Sequence, residues 1–417
     1  MDLRSIATAS VVALATIACA SPEGSVGTDG TWVGSITSEG NVTTVVNESG
    51  SIWGGPATLV EEASIGVEAG EDAYMFGNVI GVGVADGRIF ALDPQVHRVR
   101  AYDLNGVHVQ DLGNEGDGPG EFRSPAGLAV GQRVFVRDSQ IGRITVFDTG
   151  GELVDTWPIR PYFAVRPLVV TTAGELYVPY FGGMAPWGPE GQAGSVLPYP
   201  ETEGRPPRMT AVRADGASFA RDVPFWPLPV YAMSPTGATI HGAGDAYRFT
   251  VRQQDGTALH IEARAEPVMV AEAEAAWHRA RVGEFLRQAD AGWQWDAPEI
   301  PAVKPAFQAF VPAVSGEVWV VRAGAGYEDD TCEADIPMQG PPDSCWKETR
   351  IVDAFAADGR YLGAVEVPDE LRLEPLDRNR SEPARPYIHG DMVVGVVQDE
   401  VGTIMVKHYR LVLPGER

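Results

Sequence analysis

The chain has 417 residues, 57 of them acidic and 32 basic, for a net charge of −25. That balance repels nucleic acid and anionic membrane surfaces, and it argues against a nucleic-acid-binding role. A hydrophobic share of 44% permits a sizeable core, and the length suits two or three ordinary domains or one large closed β fold.

In chain order, Met1-Asp2-Leu3-Arg4 precedes an apolar run from Ile6 to Ile17 that is too short to span a bilayer and suits a secretory signal. The run ends in Thr16-Ile17-Ala18-Cys19, which resembles a bacterial lipobox, although that motif prefers Leu where Thr16 stands. The resemblance implies lipidation at Cys19 and a signal over residues 1–19. The alternative is ordinary cleavage near Ala18 or Ala20. Residues 20–52, rich in Gly, Ser, Thr and Val with few large apolar side chains, read as a flexible tether. The remaining span, 53–417, is the folded unit.

Two stretches then align without a gap at an offset of 45, "GRIFALDPQVHRVRAYDLNGVHVQDLG" from Gly87 and "QRVFVRDSQIGRITVFDTGGELVDTWP" from Gln132. Such a period marks a stacked or radial repeat. Asp86-Gly87 and Asn105-Gly106 supply the positive φ of tight hairpins. Fainter copies start at Gly174, Gly237, Gly316 and Gly390, which makes six second-strand starts. Segments such as Val318-Trp319-Val320-Val321 are apolar on both faces, as expected where one sheet is sandwiched between two neighbours.

These repeats resemble NHL-type units, and "GDGPGEFRSPAGLAV" resembles the joint between successive blades in that family. The likeness to bacterial exported six-bladed β-propeller lipoproteins is specific in the first two units and looser in the rest. It implies an all-β, six-bladed propeller of four-stranded blades with one helical insertion between blades four and five. In the joint, Gly116, Gly118 and Gly120 let the chain turn, and Phe122 packs beneath it. No GK[ST] follows, so a phosphate loop is not indicated. Ring closure calls for "ATLVEEASIG" to supply the outer strand of the last blade, beside inner strands from Tyr387 to Val412.

Three additions interrupt the pattern: residues 181–208 between the second and third strands of blade three, residues 323–349 at the same place in blade five, and a helix over 268–290. The helix follows Pro267, carries Glu272 and Glu274 early and meets Gly292 after its end, with Trp277, Val282, Phe285 and Leu286 on its buried side. Strand polarity places all three additions on one face. Candidate ligand-binding residues at that mouth are Tyr180, Trp187, His241, Asp245, Tyr247, Arg322 and Trp346. Tyr199 belongs with Trp187 and Trp346 in an aromatic surface for a sugar or peptide, unless these rings simply pack the insertions down. Asp93 and Asp138 end second strands and are the candidate cation ligands; the competing role is to brace the blade against Arg98 and Arg143. Cys332 and Cys345, thirteen positions apart, are a candidate disulfide, worth roughly 3 kcal/mol in the chain-entropy model. Two free thiols or a metal pair is the alternative, though zinc lacks further ligands nearby.

No HExxH, Gly-x-Ser-x-Gly or C-x-x-C motif is present. The reading that follows is an exported propeller, lipid-anchored in the periplasm or at the cell surface, that touches membrane through its anchor only. It acts as a binding module for an envelope or extracellular protein, peptide or glycan, and no cofactor is assigned to it. The alternative is a lactonase- or lyase-like enzyme with calcium in an axial site. A third is a structural part of an envelope complex. Fold likeness alone does not choose among them.

Overall fold

The computed structural model describes residues 31–160, 167–199, 206–329, 345–373, 384–399 and 401–416. A hairpin of β1 (Val33–Glu39) and β2 (Val42–Ser49) comes first, then β3 (Ala57–Ile65). β4 (Gly81–Ala85), β5 (Arg88–Asp93), β6 (Arg98–Asp103) and β7 (His108–Leu112) form an antiparallel sheet in chain order, and β8 (Pro125–Val130), β9 (Val134–Asp138), β10 (Arg143–Phe147) and β11 (Leu153–Pro158) form the next. The third sheet holds β12 (Val169–Val170), β13 (Leu176–Tyr180) and β14 (Gly183–Gly188), with β15 (Gly191–Gln192) and β16 (Leu197–Pro198) both paired to β14. β17 (Arg208–Val212) and β18 (Ser218–Asp222) make a separate hairpin. β19 (Val230–Met233), β20 (Thr239–Gly242), β21 (Arg248–Arg252) and β22 (Ala258–Ala263) follow, and β2 and β1 extend this sheet to six strands. After helix α1 (Glu272–Arg287) come β23 (Ala309–Pro312), β24 (Val318–Asp329), β25 (Cys345–Phe355) and β26 (Tyr361–Glu366), then β27 (Tyr387–His389), β28 (Met392–Gln398) and β29 (Ile404–Val412). β3 joins these last two groups into one eight-stranded sheet. Among the described residues the molecule is therefore all-β with one α-helix, arranged in six sheets.

Turn chemistry sets the hairpins. Asp86 and Gly87 both take positive φ, at 47° and 69°, between β4 and β5. Between β6 and β7, Asp103 Oδ1 accepts from the backbone N–H of Asn105 and Val107 at 2.9 and 2.8 Å. Asp148 repeats the device 45 positions on, accepting from Glu152 N at 2.9 Å.

Side chains alternate between the two neighbours of each sheet. In β5, Phe90 and Leu92 pack with Leu128, Val134 and Val136 of the next sheet. Ile89 and Ala91 pack on the opposite side with Val394, Val396 and Val406 of the last one. Burial on both faces explains the unbroken apolar runs. Sheet-to-sheet packing continues from Phe135 and Ile144 to Leu176 and Val178, from Tyr177 and Met184 to Met233, from Ile240 and Phe249 to Phe310 and Val320, and from Trp319 and Val352 to Val393 and Tyr409. The sequence of contacts returns to its start, giving a propeller-like ring.

The joint over residues 115–124 turns the chain into β8. Phe122 is fully buried and meets Phe147 edge-on at 6.2 Å. Glu121 accepts from Gly118 N at 2.7 Å, and the Arg143 guanidinium donates to the carbonyls of Asp117, Gly118 and Glu121.

Two expectations are corrected. The part of the expected tether from residue 31 to 49 is integral structure. β2 runs parallel to β22, Trp32 is buried, and its Nε1 donates to Asn47 Oδ1 at 2.6 Å. Asn47 in turn donates to the carbonyls of Glu262 and Gly359 and accepts from Tyr361 N, so backbone pairing and one amide hold a strand pair that has few large apolar residues. The third sheet also differs. Its third strand, β14, comes from within the 181–208 addition, and "TAVRADG" is displaced into the β17–β18 hairpin. The signal segment, Cys19 and Cys332 lie outside the described residues.

Closure follows the expected path: β3 pairs antiparallel with β29 from Thr58↔Val412 to Ile65↔Val406. Deleting residues 53–66 is expected to abolish the cooperative thermal transition of the full chain, read by circular dichroism; a deletion variant that melts at the parent temperature would refute the closure.

Candidate functional site

The first strands of the successive groups, β4, β8, β12, β19, β23 and β27, all border a cavity of about 610 Å³. Its walls are mainly apolar, with Val82, Val84, Leu128, Val170, Met233 and Ile388 among them. Polar groups gather where the first strands begin: Asn78, Arg385 and Tyr387 precede or open their strands, and Arg137 sits one residue from the end of β9. The opposite end offers Thr171 and Thr172. Arg137 is only 3% exposed, and its guanidinium donates to Ala126 O at 2.8 Å. A Cβ on Gly127 would lie 3.3 Å from that guanidinium, so the glycine leaves it room to cross the first strand.

The end marked by Arg137 and Arg385 is also the decorated one, because the β24–β25 connection and the α1 segment leave on that side of their sheets. α1 buries Val282 and Leu286 against Met209, Ala211 and Val223 of the β17–β18 region. The Arg221 guanidinium lies 3.4 Å from the Phe285 ring centroid. On its other side the helix is held by ions. Lys304 Nζ, with a fully buried side chain, donates to Glu274 Oε1 at 2.6 Å and to Glu348 Oε1 at 2.7 Å. Glu274 also accepts from Ala271 N, capping the helix start. Helix, displaced hairpin and the β24–β25 excursion thus pack as one group. Residues 183–198 of the 181–208 addition build into the third sheet instead.

His278 lies in this group, edge-on to Phe225 at 4.8 Å. Burial lowers its pKa from 6.5 to about 4; Glu274 opposes the shift, and Lys304 and Arg281 add to it.

The sequence-predicted residues separate into distinct places. Tyr247 and Arg322 meet through a residue that sequence reading missed, Asp353. Asp353 Oδ2 accepts from Tyr247 OH at 2.6 Å and from Arg322 at 3.2 Å, and Oδ1 accepts from Tyr361 OH at 2.9 Å. The Arg322 and Asp353 side chains are 11% and 7% exposed. Burial first, then Asp353, raises both phenol pKa values, so the tyrosines stay protonated donors. This network ties the residue before β21 to β24, β25 and β26 as a brace. No local motif marks it, since Tyr247 and Asp353 are 106 positions apart.

Trp187 is a core residue, donating to Pro158 O at 2.9 Å with Tyr180 tilted against it at 6.0 Å. Tyr199 packs on Tyr231 at 4.7 Å. Asp245 is half-exposed and pairs with Arg248 at 3.3 Å. His241 lies on β20 with its pKa lowered by burial and then by Arg252 and His260. Trp346 is on β25 opposite Glu328, away from Tyr180 and Trp187. The aromatic surface anticipated from Trp187, Tyr199 and Trp346 is therefore not assembled.

Asp93 and Asp138 serve the backbone. Asp93 accepts from Gly77 N and Gln95 N at 2.8 and 2.9 Å. Asp138 accepts from the N–H groups of Arg123, Ser124, Gln140 and Ile141 at 2.6 to 3.0 Å. The anticipated arginine braces are replaced too: Arg98 pairs with Asp111, and Arg143 with carbonyls of the joint. Among the described residues no three His, Cys, Asp or Glu side chains gather as a metal-ligand group. None of their helices is long and apolar enough to cross a membrane.

No protein-family model and no curated protein matches the chain. Among solved structures it is similar to a member of the DUF4221 family from Bacteroides vulgatus, at 10% identity and a TM-score of 0.43 over 86% of this chain and 99% of that one. It is similar to virginiamycin B lyase from Staphylococcus aureus, at 8% identity and a TM-score of 0.36 over 86% and 95%. It is also similar to the calcium-binding protein regucalcin from Agrobacterium tumefaciens, at 10% identity and a TM-score of 0.35 over 87% and 98%. At these scores the likenesses transfer no activity to this chain.

The His278 shift sets a pH dependence. Between pH 6.5 and about 4 the unfolded chain binds a proton that the folded imidazole refuses, so stability falls as pH falls through that window. Unfolding midpoints should be level above neutrality and decline below pH 6.5, with His278→Gln flattening the decline; a slope unchanged in that variant would remove His278 as its origin.

Proposed function

We propose that this protein is an exported, membrane-tethered six-bladed propeller of NHL type acting as a binding module, with its ligand received at the decorated face and seated in the axial cavity. The six blades correspond to the sheets begun by β4, β8, β12, β19, β23 and β27, with the third cut short and the others four-stranded at heart. The carrying observation is the cavity itself: its volume lies within the range of about 300–1,000 Å³ typical of small-molecule sites, and its wall is built on innermost strands. Strands hold a site more rigidly than loops do. Of the ligand classes named from sequence, a protein, peptide or glycan, the apolar wall favours an apolar peptide side chain over a glycan, whose hydroxyls would lack partners there, and it would equally take an apolar small molecule.

A fluorescence titration of the full chain with phenylnaphthylamine, a neutral apolar probe, tests the site. Saturable one-to-one binding is expected, weakened at least about tenfold, or about 1.4 kcal/mol, by Val84→Trp, whose larger side chain occupies part of the cavity. Absence of saturable binding, or binding indifferent to that substitution, would overturn the axial reading.

The tether is tested separately. Cys19→Ser should move the protein from the membrane fraction to the soluble fraction of cells that export it; continued membrane association would contradict a lipid anchor at Cys19.

A further inference from the structure

We infer that helix α1 and the β17–β18 hairpin form one block that detaches from the ring ahead of global unfolding, and that protonation of His278 at the seam between block and ring is the trigger.

The block has a core of its own. Its apolar cluster, Met209, Ala211, Val223, Val282, Leu286 and Trp293 with the partly buried side chains around them, is drawn entirely from residues 209–226 and 282–300. None of the apolar clusters within and between the sheets of the ring contains a residue of those two segments. What fastens the block to the ring is polar. Lys304 Nζ, fully buried, donates to Glu274 of α1 and to Glu348 of β25. Gly326 of β24 comes so near Glu274 that a Cβ there would lie 2.3 Å from Oε1.

His278 stands in this seam. It faces Glu274 and Arg281 from its own helix and Lys304 from the segment before β23. From the segment after β18 it meets the Phe225 ring, whose centroid is 4.8 Å from that of the imidazole and 5.1 Å from Lys304 Nζ. Phe225 takes φ 57°, a left-handed conformation that strains a bulky residue and that the seam holds in place. A proton on His278 puts another cation near Lys304 and Arg281 in a buried place, and Glu274, which opposes them, is already bonded to Lys304. Burial above all, then these cations, keeps the imidazole neutral down to about pH 4, whereas an exposed imidazole takes its proton near pH 6.5. Release exposes the ring, so within that window protons favour the released state. From pH 7.5 to pH 5 the equilibrium between docked and released block should move toward release by about thirtyfold. The block packs at the decorated face, so its release alters the surface at which the ligand is proposed to be received.

Hydrogen–deuterium exchange of the full chain at pH 7.5 and pH 5, with each amide rate divided by its intrinsic rate, tests the release. Protection over Glu272–Arg287, Arg208–Val212 and Ser218–Asp222 should be alike and at least about tenfold below that of Arg88–Asp93 and Val134–Asp138 in the ring, the mark of a sub-global opening. It should fall about thirtyfold between the two pH values. His278→Gln should hold the protection of the block level across the same change; His278→Phe, which keeps an aromatic ring against Phe225, makes the same test if the first variant does not fold by circular dichroism. Equal protection in block and ring, α1 protection unchanged at pH 5, or an acid loss that survives in the folded variant would overturn the inference.

Discussion

The pairing of β3 with β29 is the constraint on which the rest of the structure depends. Apart from β2 beside β22, the other sheets are assembled from strands near one another in sequence. This one joins Ser64 to Lys407 and Ala63 to His408. Without it β29 would present a row of unpaired backbone groups, and the first and last sheets would lose a fixed relation. The two sheets also pack face to face, Ile89 and Tyr102 with Val394 and Val406, and Ile65 of β3 belongs to the same cluster. The closing strand is thus bound by backbone pairing along its length and by side-chain burial at its end. The entropy of closing so long a loop grows only slowly with length, so a modest strand can hold it. β3 additionally runs parallel to β26 at Ala57 and Thr58, which joins β23–β26 into the same eight-stranded sheet.

The regular part of this architecture was legible because the physics is local and repeated. Glycine turns, two-faced apolar strands and a 45-residue offset each report the same unit, and strands over Arg88–Asp93 and Val134–Asp138 lie where the offset puts them. The failures have equally local causes. β14 contains Gly183, Pro186 and Gly188, a composition that does not read as a strand, yet it pairs along β13 from Tyr180 to Leu176. The β1–β2 hairpin looked like a tether because its stability comes from a neighbour: β22 supplies the hydrogen bonds and Asn47 the specific contacts. Strand propensity reflects packing and pairing more than intrinsic preference, and such a segment cannot be recognised apart from its partner. The helix was placed, but its most consequential side chain is the acidic Glu274, fully buried against a lysine that comes 30 residues later.

Electrostatics divide the molecule in a way that composition conceals. The acidic excess is spread over turns and surface, whereas several cations sit inside. Arg100, Arg137 and Lys304 are each less than 5% exposed. Desolvating a cation is costly, and these positions show two ways of compensating. Lys304 is met by carboxylates, one of them equally buried. Arg100 donates to Met75 O and reaches Asp72, while its ring-facing side lies 5.7 Å from Phe76. A buried ion pair of this kind gains little net stability over an apolar substitute, while breaking it leaves an uncompensated buried charge. Here the Glu274–Lys304–Glu348 set fixes where the helix docks.

That docking links the decorations to the axis. Lys304 closes the α1 segment and precedes β23 by five positions, and β23 contributes Val311 and Pro312 to the cavity wall. The Asp353 network stands on the strands behind it: Arg322 on β24 donates to Ala306 O and to Asp353, whose other oxygen is held by Tyr361. A displacement of the helix would therefore be resisted by two buried polar sets with fixed partners before it reached the innermost strand. The α1 segment, the β17–β18 hairpin and the β24–β25 excursion pack together, and charge-assisted hydrogen bonds of Lys304 stand between them and β23. A rigid wall suits recognition by shape and polarity, because little conformational freedom remains to be lost when a ligand enters.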